Sequence, residues 1–290
     1  MSKAARLRGK IREKPLTHII GAHNPLSARL AEEAGFDGIW ASGFELSAAY
    51  GVPDASLISM TEHLEMARAM NDAVGIPVVA DVDTGYGNAI NVMHTLRKYE
   101  GAGMAAMVIE DKVFPKDTSL LAGGRQELLA IEEFEGKLAA AVATRRDPDF
   151  MVIARTEALI AGLGQAEAKG RAERYADAGA DAVLIHSKSE TPDEIVEFIG
   201  AWARQTPIVI VPTAYPQLTE ADIIALEKVK MVIYGNHAIR AVVTALEKVF
   251  GQIRKDGGIH NVHGTIVPVT RVFELQGVPG MKANEKKYLR

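Results

Sequence analysis

The segment Asp81-Val82-Asp83-Thr84-Gly85-Tyr86-Gly87 sets two carboxylates beside a glycine-rich turn, without the lysine and hydroxyl pair of a phosphate-gripping P-loop. Side chains that offer only oxygen suit a hard divalent cation. Mg²⁺ takes oxygen ligands and keeps several of its waters, so one directly bound carboxylate with others acting through water is sufficient. Glu110, Asp111 and Asp54 are available to complete such a set. Taken singly, each acid is better explained by a helix cap or a lysine partner; the recurrence of Asp81, Asp83 and Glu110 at the ends of apolar runs is what points to metal. Arg155 and His186 stand at equivalent positions. They would supply a cation and a hydrogen-bond donor suited to a dianionic phosphate or phosphonate. An ion pair of Arg155 with Glu157, and a histidine satisfied at a strand end, are the competing structural readings of these two residues.

Residues 112–126 form a stretch too long and irregular for an ordinary strand-to-helix connection, which has about 2–6 residues. A gating loop over 111–128 is expected, hinged at Gly123-Gly124, with Lys116, Thr118, Ser119 and Arg125 reaching an anionic substrate on closure.

Positioning these groups on one face requires a particular frame. Eight short apolar runs, at 17–22, 38–41, 78–80, 106–109, 151–154, 182–185, 208–211 and 231–234, alternate with amphipathic stretches such as 62–72, 90–101, 131–145, 165–178 and 192–204. That alternation is the pattern of successive strand–helix units around a parallel sheet. An internal repeat supports it, since Ala34-Gly35, Ala102-Gly103 and Ala178-Gly179 each end a helical stretch and precede a strand. Seven residues beyond each glycine stand Ser42, Glu110 and His186, and Asp81 and Arg155 follow their own apolar runs in the same way. The expected fold is a (β/α)₈ barrel, whose active sites lie where the carboxyl ends of the strands converge; an open doubly wound sheet is the rival. The chain reads as one barrel domain over 1–290, with a terminal helical arm at 257–290 that either packs on its own barrel or reaches a neighbour. The basic stretch 1–14 is assigned no function.

Composition excludes several functions. With 33 Lys+Arg against 37 Asp+Glu the net charge is -4, which argues against a nucleic-acid partner. There are no cysteines, so disulfides, thiolate metal sites and cysteine catalysis are excluded. No apolar run approaches the roughly 18 residues of a membrane helix, and no leader is evident, so a cytoplasmic protein with no membrane partner is expected.

The strings Trp40-Ala41-Ser42-Gly43, Asp81 to Asn88, Glu110-Asp111-Lys112-Val113-Phe114-Pro115-Lys116, Ile153-Ala154-Arg155-Thr156-Glu157 and His186-Ser187-Lys188 together resemble the phosphoenolpyruvate mutase branch of the isocitrate lyase superfamily, over about residues 19–289. The resemblance implies a barrel whose last helix is exchanged between subunits of a homotetramer built as a dimer of dimers. It implies Mg²⁺, with Mn²⁺ or Co²⁺ as substitutes, bound directly by Asp81 and through water by Asp83, Glu110 and Asp54. It places the substrate's carboxylate and keto oxygens near Trp40, Ser42, Gly43 and Phe44, its phosphonyl group on Arg155 and His186, and Lys116, Thr118 and Ser119 in the gating loop. Carbon–carbon lyases of the superfamily carry a cysteine in that loop, which this chain lacks. Mutases carry Lys-x-Asn-Ser where this chain has Lys116-Asp117-Thr118-Ser119, the pattern of the hydrolytic members. The implied reaction is hydrolysis of phosphonopyruvate to pyruvate and phosphate, with Lys116, Thr118, Arg155 and His186 as the catalytic set and Thr118 orienting water. Mutase chemistry is the alternative, and a lyase or decarboxylase of a 2-oxo or malate-type acid is third.

Overall fold

Eight parallel strands close on themselves in sequence order: β1 (Thr17–Ala22), β2 (Gly38–Ala41), β3 (Val78–Asp81), β4 (Ala106–Glu110), β5 (Met151–Thr156), β6 (Ala182–Ile185), β7 (Ile208–Ile210) and β8 (Val229–Tyr234). The structure is a computed structural model and describes residues 1–290. It divides into two units, Met1–His237 and Ala238–Arg290. The expected (β/α)₈ barrel is the architecture of the first. Its connecting helices are α2 (Pro25–Glu33), α3 (Gly43–Tyr50), α4 (Met60–Ala73), α5 (Ala89–Gly101), α6 (Ile131–Thr144), α7 (Gly164–Asp177), α8 (Asp193–Ala201) and α9 (Glu220–Ala225), preceded by α1 (Lys3–Glu13).

The strands read as unbroken apolar runs because both faces are covered: every residue of β3, β4 and β5 is buried. Several helices start where side chains take up their free amides. Asn24 caps α2 with Pro25 behind it, and Ser59 and Glu62 form a reciprocal box at α4. Gly35, Gly103 and Gly179 lie at φ +88°, +81° and +99°, left-handed positions that end helices and account for the repeat.

Three strands run further than their apolar content indicated, β3 by the single residue Asp81. Glu110 and Arg155 belong to β4 and β5 and pair directly, because the ladder continues past the last apolar residue. The backbone of Glu110 also donates to Asp83 O at 2.8 Å, which ties the loop after β3 to the end of β4.

The basic N-terminus forms α1. Ala4 and Leu7 are its buried residues, and its cations meet the segments that lead into the strands. Lys3 donates to Asn71 O and Val74 O ahead of β3, Arg8 to Asp181 at 2.6 Å ahead of β6, and Lys10 and Lys14 to Asp37 at 2.7 and 2.6 Å ahead of β2. The helix thus covers the amino ends of the strands.

The second unit holds α10 (His237–Asp256) apart from its first residue, then α11 (His260–His263), α12 (Val269–Leu275) and α13 (Val278–Tyr288). No helix of the chain is long and apolar enough to cross a membrane.

Candidate active site

The carboxyl ends of β2 and β3 meet through one hydrogen bond. Ser42 caps α3, accepting from Glu45 N at 3.2 Å, and the next residue, Gly43, donates its amide to Asp81 Oδ2 at 3.1 Å. A Cβ on Gly43 would lie 3.1 Å from Asp83 Oδ1 and 3.3 Å from Asp81 Oδ2, so the absent side chain is what lets the carboxylates approach this helix. The loop after Asp81 coils through left-handed conformations at Asp83, Gly85 and Tyr86, and holding the two non-glycine residues there stores strain of the kind found at functional loops.

Lys116 reaches into this group from the 111–128 loop. Its Nζ lies 2.9 Å from Asp83 Oδ1, 3.0 Å from Asp54 Oδ2 and 4.0 Å from Glu110 Oε1. Burial works to lower the lysine pKa, but the surrounding carboxylates prevail and raise it well above its ordinary value, so the ammonium is charged. Burial is the chief cause raising Asp81, and it carries Asp83 to about 7 against the pull of Lys116.

A second cluster stands on β4, β5 and β6. Arg155 Nε is 2.6 Å from Glu157 Oε1 and 3.2 Å from Glu110 Oε2, while its Nη2 donates to Ser119 Oγ at 2.9 Å and meets His186 Nδ1 at 3.0 Å. His186 Nδ1 also lies 3.2 Å from Glu157 Oε1 and so stands between a donor and an acceptor; with Arg155 as its donor, the proton of the neutral ring sits on Nε2. Burial lowers the His186 pKa against the influence of Glu157, which keeps that neutral form dominant. Burial acts to raise Glu157, yet Arg155 first, then His186 and Lys112, hold it well below the usual carboxylate range. Lys112 is fully buried and donates to Asp117 O at 2.8 Å and Ser119 Oγ at 2.9 Å, anchoring the loop from below.

One pocket receives both clusters. Trp40, Ser42, Phe44, Asp54, Asp81, Lys116, Thr118, Ser119, Arg155 and His186 all line it, with Asp83, Glu110 and Gly43 in the contacts just described. The structure thus brings these expected residues to one pocket. Two candidates lie elsewhere. Asp111 is turned away from the pocket and saturated by Glu157 N at 2.9 Å, Tyr175 Oη at 2.8 Å, Thr156 Oγ1 at 3.1 Å and Arg171 at 3.3 Å, so it braces β5 instead of completing a metal set. Arg125 is exposed and donates to Pro115 O at 2.7 Å within its own loop, which spends the cation there. Glu157 was visible only as a rival partner for Arg155, and the structure satisfies both readings at once: the pair forms and the guanidinium still faces the pocket. Leu120 of the loop also lines the pocket, and Val211, Thr213, Gly235 and Asn236, which complete the wall at β7 and β8, were missed. Their signal is the polar or small residue just beyond the runs of β7 and β8, where no Ala-Gly pair marks the register.

No three Asp, Glu or His side chains converge as a ready-made ligand set, since the Lys116 ammonium stands among Asp54, Asp83 and Glu110. The donors nevertheless fit a hydrated Mg²⁺. Both carboxylate oxygens of Glu110 and Asp83 Oδ1 are buried with ion-pair contacts to Lys116 or Arg155 but without a hydrogen bond. Asp54, Asp81, Asp83 and Glu110 have only Lys116 and an Arg155 shared with Glu157 to balance them. A dication that keeps its waters would supply both the missing donors and the missing charge.

Comparison with known proteins places this geometry. A family model described as phosphoenolpyruvate phosphomutase matches residues 9–254. Phosphonopyruvate hydrolase of Variovorax sp. (strain Pal2) is 59% identical over 290 residues, covering 100% of both chains. The crystal structure of a phosphonopyruvate hydrolase complexed with oxalate and Mg²⁺ superposes with a TM-score of 0.95 at 57% identity, covering 100% of both chains. That of phosphoenolpyruvate phosphomutase from Streptomyces platensis subsp. rosaceus superposes with a TM-score of 0.97 at 53% identity, covering 99% of both.

Proposed function

The chain belongs to the phosphoenolpyruvate phosphomutase family, and within it we propose a Mg²⁺-dependent hydrolase that splits the carbon–phosphorus bond of phosphonopyruvate, giving pyruvate and phosphate. The observation that carries this reading is the full-length identity of 59% to a phosphonopyruvate hydrolase. A pocket with oxygen donors on one side and Arg155 with His186 on the other suits that substrate.

Phosphonopyruvate carries its keto group β to phosphorus, so heterolysis of the C–P bond leaves the electron pair on carbon as a pyruvate enolate. When bound, Mg²⁺ supplies Lewis-acid stabilisation of that developing charge. In this reading Asp81 holds the ion directly, and Asp83, Glu110 and Asp54 hold its waters. Trp40, Ser42 and the amide of Phe44 receive the carboxylate and keto end, beside Gly43, whose own amide is held on Asp81. Arg155 and the Nε2–H of His186 hold the phosphonyl oxygens, and the Lys116 ammonium neutralises charge as the loop closes. Ser119, already bonded to Arg155, fixes the guanidinium fork. The Thr118 hydroxyl orients the water that attacks phosphorus; the O–P bond forms as the C–P bond breaks, and the proton that the water gives up balances the one taken by the enolate carbon to complete pyruvate.

Mutase chemistry is the second reading, favoured by the 53% identity to the Streptomyces enzyme. It differs only in the acceptor, since excluding water returns the phosphoryl group to the enolate oxygen. Phosphorus NMR of the protein with phosphonopyruvate and Mg²⁺ separates the two: phosphate is expected, and phosphoenolpyruvate in its place would overturn the hydrolase. We extend the proposal to a cytoplasmic homotetramer, a dimer of dimers exchanging the arm at 257–290. Phe250 and Tyr288, 61% and 65% exposed, supply apolar surface for such an exchange. Light scattering of the eluted protein measures its mass, and a monomer would refute the assembly.

A further inference from the structure

The ends of β7 and β8 form a wall of the pocket that the reading above leaves without a role. Ile185 pairs with Ile210, so His186 and Val211 leave their strands side by side, and Thr213 follows two residues on. Thr213 Oγ1 is buried and makes no hydrogen bond. A Cβ built on Gly235 would lie 4.0 Å from that oxygen and 3.4 Å from Val211 Cγ1, so the hydroxyl faces the space that the missing side chain leaves. Thr213 and Gly235 both line the pocket.

A hydroxyl withdrawn from water without a partner is costly, and in native structures such groups call for an explanation, a ligand among them. Two neighbouring polar groups of the pocket, Arg155 and Ser119, are already engaged. Arg155 is bound to Glu157, Ser119 and His186, and Ser119 is bound in turn to Glu157 and Lys112. A phosphonyl dianion carries three acceptor oxygens, more than Arg155 and one imidazole N–H cover from their side. We propose that Thr213 is a further substrate-binding residue, donating its hydroxyl to the phosphonyl oxygen turned toward β7, and that glycine at 235 keeps the room this oxygen needs. The proposal rests on phosphonopyruvate being the substrate. A neutral donor suits the position, because it adds a hydrogen bond without adding charge to a cluster that Glu157 already balances.

The test pairs two ligands. Phosphonopyruvate turnover is followed by phosphate release, and oxalate, which has chelating oxygens but no phosphonyl group, is used as a competitive inhibitor, both with Mg²⁺. Thr213→Val is expected to lower kcat/KM by about 10- to 100-fold, the scale of one hydrogen bond to a charged group, while the inhibition constant of oxalate moves less than about twofold. Thr213→Ser is expected to stay within about threefold of wild type. Gly235→Ala, whose added methyl meets only ordinary contacts, is expected to weaken phosphonopyruvate more than oxalate, and it keeps the proposal testable should Thr213→Val fold poorly. An unchanged kcat/KM in both variants overturns it, as does a parallel loss of oxalate binding, which marks a purely structural role. Wild-type protein that releases no phosphate and forms no complex with phosphonopyruvate sinks the substrate reading, and the proposal with it; the variants decide only once wild type is active.

Discussion

At the scale of single residues, the site is built from groups that do two jobs. Arg155 neutralises buried Glu157 and Glu110 while presenting its fork to the pocket. Arg155→Ala is therefore expected to lose kcat/KM by 10²-fold or more and also to lower stability by about 3 kcal/mol, because a buried carboxylate loses its cation. Steady-state kinetics alongside urea unfolding measures both, and unchanged values of either contradict the dual role. Gly43→Ala isolates the metal side. Its methyl would press on the Asp81 and Asp83 carboxylates at 3.3 and 3.1 Å, so Mn²⁺ affinity read by electron paramagnetic resonance should fall about tenfold with little change in unfolding midpoint. Equal affinity would show that the carboxylates yield freely. Asp81, Glu110, Arg155 and His186 were legible because a parallel strand buried on both faces announces its end by the first polar residue. Asp111 misled for the same reason: one residue further on, the side chain points the other way.

Elements explain what residue types alone did not reveal. The 111–128 loop was legible from its irregular length, and its base is a short antiparallel bridge between Lys112 and Leu128 that brings the loop ends together. Thr118 lines the pocket from this loop, so Thr118→Asn tests whether one side chain chooses the acceptor. Slower phosphate release with phosphoenolpyruvate appearing in the phosphorus spectrum is expected; undiminished hydrolysis and no phosphoenolpyruvate would remove Thr118 from the role. The helix α1 was not legible, because only two of its residues are buried and its partners are carboxylates and carbonyls far along the chain. Asp37 records the docking. Burial works to raise its pKa, but Lys10 and Lys14 bring it down to about 2 from 3.8. A folded value below the unfolded one means stability that is present above pH ~3.8 and lost as pH falls toward ~2. Asp37→Asn should lose that acid-side slope while unfolding earlier at neutral pH, and a wild-type-like slope in the variant would show that the helix is held by other means.

For the molecule as a whole, closure of the barrel was foreseeable because eight apolar runs with a repeated glycine leave no edge strand to cover. Less foreseeable was how the charge is distributed over that closed sheet. The proposed metal donors come from the end of β3, from β4 and from the loops after β2 and β3, and Gly43 N ties α3 to Asp81. A dication held there would cross-link strands that are already cooperative neighbours, so its binding energy belongs to the folding of the first unit as a whole. Mass action sets the scale: at about 100 times its dissociation constant a ligand of the native state adds about 2.7 kcal/mol. In a unit of this size each kcal/mol moves Tm by about 2–4 °C, so saturating Mg²⁺ should raise Tm by about 5–10 °C over the chelated protein. Differential scanning calorimetry with Mg²⁺ and with EDTA measures this without any turnover, and Asp81→Asn should abolish most of the difference. The substitution also removes a buried charge whose pKa burial raises, so the chelated variant should melt no lower than the chelated wild type. Coincident curves for wild-type protein in Mg²⁺ and EDTA would show that Lys116 and Arg155 by themselves balance the carboxylates, and the metal would have no place in the barrel.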